Sequence, residues 1–202
     1  MVMILLGIIA AYLVGSIPTS YLIGMLKGID VRKHGSGNVG ATNVLRVMGK
    51  LPAVITLIVD IGKGVVAVTL IAMFFYQKNQ AISYSVFRAI LGLAVIAGHD
   101  WTVFLKFKGG KGAATFIGVF VVIFPAGLLA GLIVWLAVVW ATKYVSLGSI
   151  LMTICVPVVA AASGSRIEVV LLSVTSCMII CYKHKENIGR LLLGTESKIG
   201  KK

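Results

Sequence analysis

Apolar runs long enough to cross a bilayer alternate along this chain with short polar stretches rich in glycine and basic residues. A hydrocarbon core of ~30 Å takes about 20 helical residues. Runs of that order stand at 1–25, 51–76 and 81–98, and again at 145–162 and 167–182. Inside the first, Gly15, Pro18 and Gly24 predict a kink and close helix packing. The stretch 113–141 is different. As a single helix it would measure roughly 43 Å, long for one crossing even when tilted. Split near Phe124-Pro125-Ala126-Gly127, it becomes a hairpin of two short helices.

Charge decides between these. With the hairpin, the loops 27–50, 98–112, 142–146 and 183–202 share one side, and only Lys63, Lys78, Arg88 and Arg166 lie elsewhere among the Lys and Arg residues. One long crossing would send the basic C-terminal segment to the opposite face, against the positive-inside rule. The expected fold is therefore an all-α integral membrane protein of seven transmembrane helices in one domain spanning 1–202, N-terminus outside and C-terminus cytoplasmic. Gln77-Lys78-Asn79-Gln80 would be a short exit loop. No repeat strong enough to suggest inverted halves is visible.

Composition agrees and narrows the partners. A chain of 202 residues that is 59% hydrophobic and 12% charged, with mean hydropathy +1.04, is no soluble globule. Its net charge of +13 suggests cytoplasmic loops facing anionic lipid or phosphorylated substrates. Nucleic acid is not expected, because the charges lie in short loops between apolar runs. Cys155, Cys177 and Cys181 fall inside apolar segments without CxxC spacing, so neither a disulfide framework nor a metal site is expected. No basic segment precedes the first apolar run, which is expected to stay as a transmembrane helix rather than a cleaved signal.

Three polar clusters fall on the cytoplasmic side of this topology. The first, His34-Gly35-Ser36-Gly37-Asn38-Val39-Gly40-Ala41-Thr42-Asn43-Val44-Leu45-Arg46, offers hydrogen-bonding groups without bulk and a guanidinium fork suited to phosphate. The second runs from Gly98-His99-Asp100-Trp101 to Phe107-Lys108-Gly109-Gly110-Lys111-Gly112. Such a loop lets backbone N–H groups approach an anion with ammonium groups beside them, or serves only as a positive topological signal. It is not a Walker A loop, since Ala113 follows Lys111-Gly112. Trp101, Phe104 and Phe107 suit the headgroup level. In the third cluster, Lys183 to Leu191, His184, Asn187 and Arg190 share one face of a helix leaving the membrane.

Two further sites invite readings. Asp60 and Lys63, i and i+3 within a span, form a buried structural pair or contact a substrate. Ser146 or Ser149 caps the helix that begins near Val145, or bonds a substrate.

At the three clusters the chain resembles the bacterial acyl-phosphate:glycerol-3-phosphate acyltransferase family, PlsY. The shared motifs are Ser-Gly-Asn-x-Gly-Ala-Thr-Asn with a following Arg, then Gly-Gly-Lys-Gly, then His-x-x-Asn-x-x-Arg-Leu, here at Ser36–Arg46, Gly109–Gly112 and His184–Leu191. The resemblance extends over nearly the whole chain. It implies acyl transfer from acyl phosphate to the 1-hydroxyl of sn-glycerol 3-phosphate, giving lysophosphatidic acid and phosphate, the first step of phospholipid synthesis. Ser36, Arg46, Lys111, His184 and Asn187 would be the catalytic set. Asn38, Gly40, Thr42, Asn43, Gly109, Gly110, Gly112 and Ser149 would bind substrate, with no cofactor or metal. The implied setting is the cell inner membrane, with a cytoplasmic-face active site and an upstream enzyme that makes the acyl phosphate.

Both substrates carry phosphate, which accounts for a basic glycine-lined site. An acyl phosphate brings its own leaving group, so positioning and charge stabilisation suffice. No His-x4-Asp dyad, common in acyl-CoA-dependent acyltransferases, occurs in the chain. His184 or a substrate phosphate takes the hydroxyl proton; the sequence leaves both open. A transporter for a phosphorylated solute is the rival reading, and a lipid-binding scaffold a third.

Overall fold

The computed structural model describes residues 1–76 and 81–200, all-helical apart from turns and loops. The exit loop expected at Gln77–Gln80 lies outside the described residues. The chain divides into two compact units, Met1–Val122 and Ile123–Lys202.

In the first unit the opening apolar run is broken into α1 (Val2–Ser16) and α2 (Thr19–Leu26). Pro18 supplies the break, having no N–H for the helical ladder and restricting Ile17 before it. A short amphipathic α3 (Ala41–Met48) leads through Gly49 into α4 (Lys50–Val66), which continues through a π-helical stretch, Ala67–Ile71, into α5 (Ala72–Phe75). That wider turn disturbs the carbonyl ladder, and Arg88 answers it by donating from Nε to the Val68 carbonyl at 2.8 Å. Ser83 accepts from the Val86 N–H and starts α6 (Tyr84–Asp100), while α7 (Ala113–Ile123) closes the unit.

Helices here approach through small residues, as expected where lipid replaces water as the solvent. A Cβ on Gly15 would collide with the Val95 carbonyl, and one on Gly98 with that of Tyr12, which presses α1 onto α6. Gly64 and Gly118 do the same between α4 and α7.

The second unit holds α8 (Pro125–Thr142), α9 (Val145–Ala162), α10 (Ile167–Lys183) and α11 (Lys185–Leu192). The break expected near Phe124 is present. Phe124 leaves helical geometry at φ −147° and ψ 70°, and Pro125 opens α8.

Among the described residues, five spans are long and apolar enough to cross a membrane: Val2–Leu26, Lys50–Phe75, Tyr84–Leu105, Pro125–Thr142 and Val145–Ala162. The pair α10 and α11, bent by 61°, makes six if taken as one span. Helix α7 has 11 residues, about 16 Å, and does not cross by itself.

Candidate active site

Within the first unit, the polar segment 27–49 is folded around one amide. Asn43, 2% exposed, donates from Nδ2 to the carbonyls of Val31 and His34, both at 3.1 Å. Its Oδ1 accepts the Ser36 N–H at 2.8 Å. These three bonds close the loop onto α3 and hold Ser36 at the surface. Gly35 is required at φ +60°, where a Cβ would also strike Asn43 Oδ1. Asn38 Oδ1 accepts the Gly40 N–H at 2.9 Å, so Asn38 shapes the entry to α3, of which Gly40 is the N-cap. Thr42 and Arg46 follow one turn apart on α3, Arg46 exposed.

At the start of the segment, Asp30 receives the Arg32 Nε and Nη2 at 2.9 and 2.8 Å. That guanidinium, lying 4.6 Å from the Tyr21 ring centre, lowers the Asp30 carboxyl to about 2. Val31 and Val39 then bury against Leu105, so the first polar loop shares a small apolar core with the second.

The second loop turns back on the end of α6. The Gly109 N–H donates to the Asp100 carbonyl at 3.2 Å and the Gly110 N–H to the His99 carbonyl at 2.9 Å. Those two amides are spent within the loop. What Gly109 and Gly110 provide is close backbone approach, since a Cβ on either would collide with His99 or Asp100. The turn before them is strained: Lys106 and Phe107 both hold left-handed φ, 52° and 62°. Phe104 and Phe107 are each 59% exposed, as headgroup-level anchors would be. Lys111, half-buried, precedes Gly112, whose carbonyl accepts the Phe116 N–H at 2.7 Å and so begins α7. The cation thus stands where a helix presents its unsatisfied first N–H groups.

Asp60 and Lys63 form the buried structural pair, 2.5 Å apart and 2% and 4% exposed.

In the second unit His184 stands at the 61° bend between α10 and α11 and is the N-cap of α11, the helix that carries Asn187 and Arg190. The ring is 4% exposed, with Nδ1 at 2.8 Å from the Ile180 carbonyl. A carbonyl can only accept, so Nδ1 carries the hydrogen and Nε2 has the lone pair in the neutral imidazole.

Around Asn187 the structure places a carboxylate that sequence reasoning missed. Glu196 Oε1 accepts from Asn187 Nδ2 at 2.6 Å and from Ser146 Oγ at 2.8 Å, while Oε2 accepts from Arg190 Nε at 2.7 Å. Burial alone would raise this carboxyl; the bonds from Asn187, Ser146 and Arg190 outweigh it and hold the group below its ordinary value. The tail is thereby folded back, with the Ile199 N–H on the Lys143 carbonyl at 2.9 Å and Lys198 over the Tyr144 ring. The one available signal was an acidic residue, rare in this chain, among basic ones.

The capping expected of Ser146 or Ser149 does not occur. Helix α9 has no side-chain cap; Ser146 is drawn to the charged acceptor Glu196, and Ser149 bonds the Val145 carbonyl one turn back at 2.9 Å. Among the described residues no group of three or more His, Cys, Asp and Glu could hold a metal ion.

Comparison with known proteins decides the family. The sequence model described as Glycerol-3-phosphate acyltransferase matches residues 5–194. The chain belongs to the glycerol-3-phosphate acyltransferase family. A glycerol-3-phosphate acyltransferase of Desulforamulus reducens (strain ATCC BAA-1160 / DSM 100696 / MI-1) is 46% identical, over 96% of this chain and 94% of its own. One of Clostridium acetobutylicum is 41% identical, over 97% of this chain and 100% of its own. The crystal structure of PlsY, an integral membrane glycerol 3-phosphate acyltransferase, in its glycerol 3-phosphate form, is 40% identical with a TM-score of 0.89, covering 98% of this chain and 96% of that one. Its lysophosphatidic acid form matches with a TM-score of 0.86 at 39% identity, covering 98% and 95%. Like that structure, this family member is an all-helical, multi-pass membrane protein, and an acyltransferase.

Proposed function

We propose that this acyltransferase moves a fatty acyl group from acyl phosphate to the 1-hydroxyl of sn-glycerol 3-phosphate, releasing lysophosphatidic acid and inorganic phosphate. The observation that carries the reading is the near-complete likeness to PlsY in its glycerol 3-phosphate form. The lysophosphatidic acid form supports the product. The donor rests on chemistry: the site residues are basic and glycine-lined, and the chain lacks the His-x4-Asp sequence of acyl-CoA enzymes.

In this reading Lys111, at the start of α7, and Arg46 neutralise phosphate charge, with Ser36, Asn187 and Ser149 orienting the substrates. Asn38, Gly40, Thr42 and Asn43 shape the loop that presents Ser36, Gly109 and Gly110 seat the second loop on the end of α6, and Gly112 lets a phosphate approach the backbone at the start of α7. His184 Nε2 takes the proton of the 1-hydroxyl as its oxygen attacks the acyl carbon. The bond between that carbon and the bridging oxygen breaks, and phosphate leaves with the electron pair. The Nδ1 bond to the Ile180 carbonyl supports this role, because it fixes the tautomer that can accept a proton at Nε2. The site faces the cytoplasm of the inner membrane, with the N-terminus outside, and an upstream enzyme supplies the acyl phosphate.

The test is product formation by purified protein in lipid, given glycerol 3-phosphate and either acyl phosphate or acyl-CoA. Lysophosphatidic acid with released phosphate is expected from acyl phosphate alone. Product from acyl-CoA alone overturns the donor. No product from either, with folded protein, overturns acyl transfer in favour of transport.

A further inference from the structure

A buried polar network lies against the second loop without belonging to the set of residues assigned above. It begins at the break in the first span. There the Ser16 carbonyl accepts from Thr102 Oγ1 at 2.5 Å, and the Ile17 carbonyl from Lys63 Nζ at 2.6 Å. The ammonium group so placed needs a counter-charge in a low-dielectric setting. Asp60 supplies it at 2.5 Å, and its Oδ1 also accepts from Thr19 Oγ1 at 3.2 Å. The same Oδ1 lies 3.8 Å from His99 Nδ1.

The other side of the His99 ring meets the loop. A Cβ built on Gly110 would land on Nε2, with Cδ2 and Cε1 at 2.7 and 2.8 Å, so only a glycine can rest on that edge. The His99 carbonyl meanwhile receives the Gly110 N–H at 2.9 Å. Main chain and ring of one residue therefore define where Gly110 lies, one position before Lys111.

We propose that His99 is a positioning residue: its imidazole, backed by the Asp60–Lys63 pair, is the seat on which Gly110 rests, and thereby fixes the starting point of Lys111. The network then ties the break in the first span and the ion pair of α4 to the placement of the phosphate-holding cation. This rests on the role given to Lys111 above.

The experiment compares His99→Ala, Gly110→Ala and the double variant in the acyl-phosphate assay. His99→Ala should raise KM for glycerol 3-phosphate about tenfold, with kcat and the KM for acyl phosphate within about threefold of wild type. Gly110→Ala should do likewise, since its methyl strikes the ring. Removing the ring makes room for that methyl, so the double variant should fall well short of the product of the two single effects. Multiplying effects, or equal rises in both KM values, overturn the proposal. Should His99→Ala fail to fold, His99→Gln serves instead, and wild-type KM values in it overturn the proposal equally. If wild type itself makes no product, the acyl-transfer reading fails alone. The seat is then read by amide hydrogen exchange: faster exchange at Gly110 in the His99 variant supports it, and unchanged protection there overturns it.

Discussion

Removing the Glu196 side chain is the sharpest test of how the second unit holds its polar residues. Glu196→Ala removes the acceptor of two buried donors, Asn187 at 6% exposure and Ser146 at 8%. Each buried donor left without its acceptor costs about 1–3 kcal/mol. Arg190 is 35% exposed, so water takes over much of its lost pairing, which adds about 1 kcal/mol or less. The sum is about 2–7 kcal/mol. For a chain of this length that lowers Tm by roughly 10 °C, at about 2–4 °C per kcal/mol. Thermal melts of both proteins in the same detergent, followed by circular dichroism, read the shift directly. Acid titration gives an independent check. Because the folded carboxyl lies below its ordinary value of 4.5, the unfolded chain binds the proton first as pH falls. The Glu196 contribution is thus full at neutral pH and declines as pH falls below about 4.5 toward the folded value, so the gap between wild type and Glu196→Ala should close in acid. A Tm within 1–2 °C of wild type at neutral pH, about the scatter of one weak surface pair, would falsify the account of Glu196 as the tie between α9 and α11.

Three further outcomes follow from the geometry. His184→Gln should cut kcat by about 10²- to 10⁴-fold, and near-normal turnover would instead assign proton removal to a substrate phosphate. Lys111→Ala should raise KM for glycerol 3-phosphate or abolish turnover; wild-type kinetics would remove it from the site. Asp60→Asn leaves the Lys63 ammonium buried beside a neutral amide, a loss of about 3–5 kcal/mol in such pairs. Adding Lys63→Met should recover most of that loss in a thermal melt, and a double variant no more stable than the single one would refute the pairing argument.

Much of this was legible in the sequence because it is local chemistry. Pro18 and Pro125 lack an N–H, and the chain breaks beside both. Asp60 and Lys63 are one turn apart in an apolar run, and no lipid-facing arrangement tolerates either charge alone, so their pairing could be foreseen. The three polar motifs carried enough residue-level detail to point to the family. The α9 bounds read from apolarity coincide with the helix, Val145–Ala162.

Tertiary structure decided what depends on partners distant in sequence. Ser146 near a helix start reads as a cap, yet a carboxylate fifty positions away takes its hydroxyl. Asn43 reads as a substrate ligand, yet its amide is spent on the backbone of Val31, His34 and Ser36. Gly109 and Gly110 read as free N–H groups, yet both turn inward to α6. In each case a polar group removed from water must find a partner, and spacing along the chain does not reveal which distant acceptor the fold delivers. The sequence by itself determined the solvent this chain needs, the helix breaks beside Pro18 and Pro125, and which residues are polar enough for chemistry. Only the fold decided which of those polar groups hold one another, and so which are left to meet a substrate.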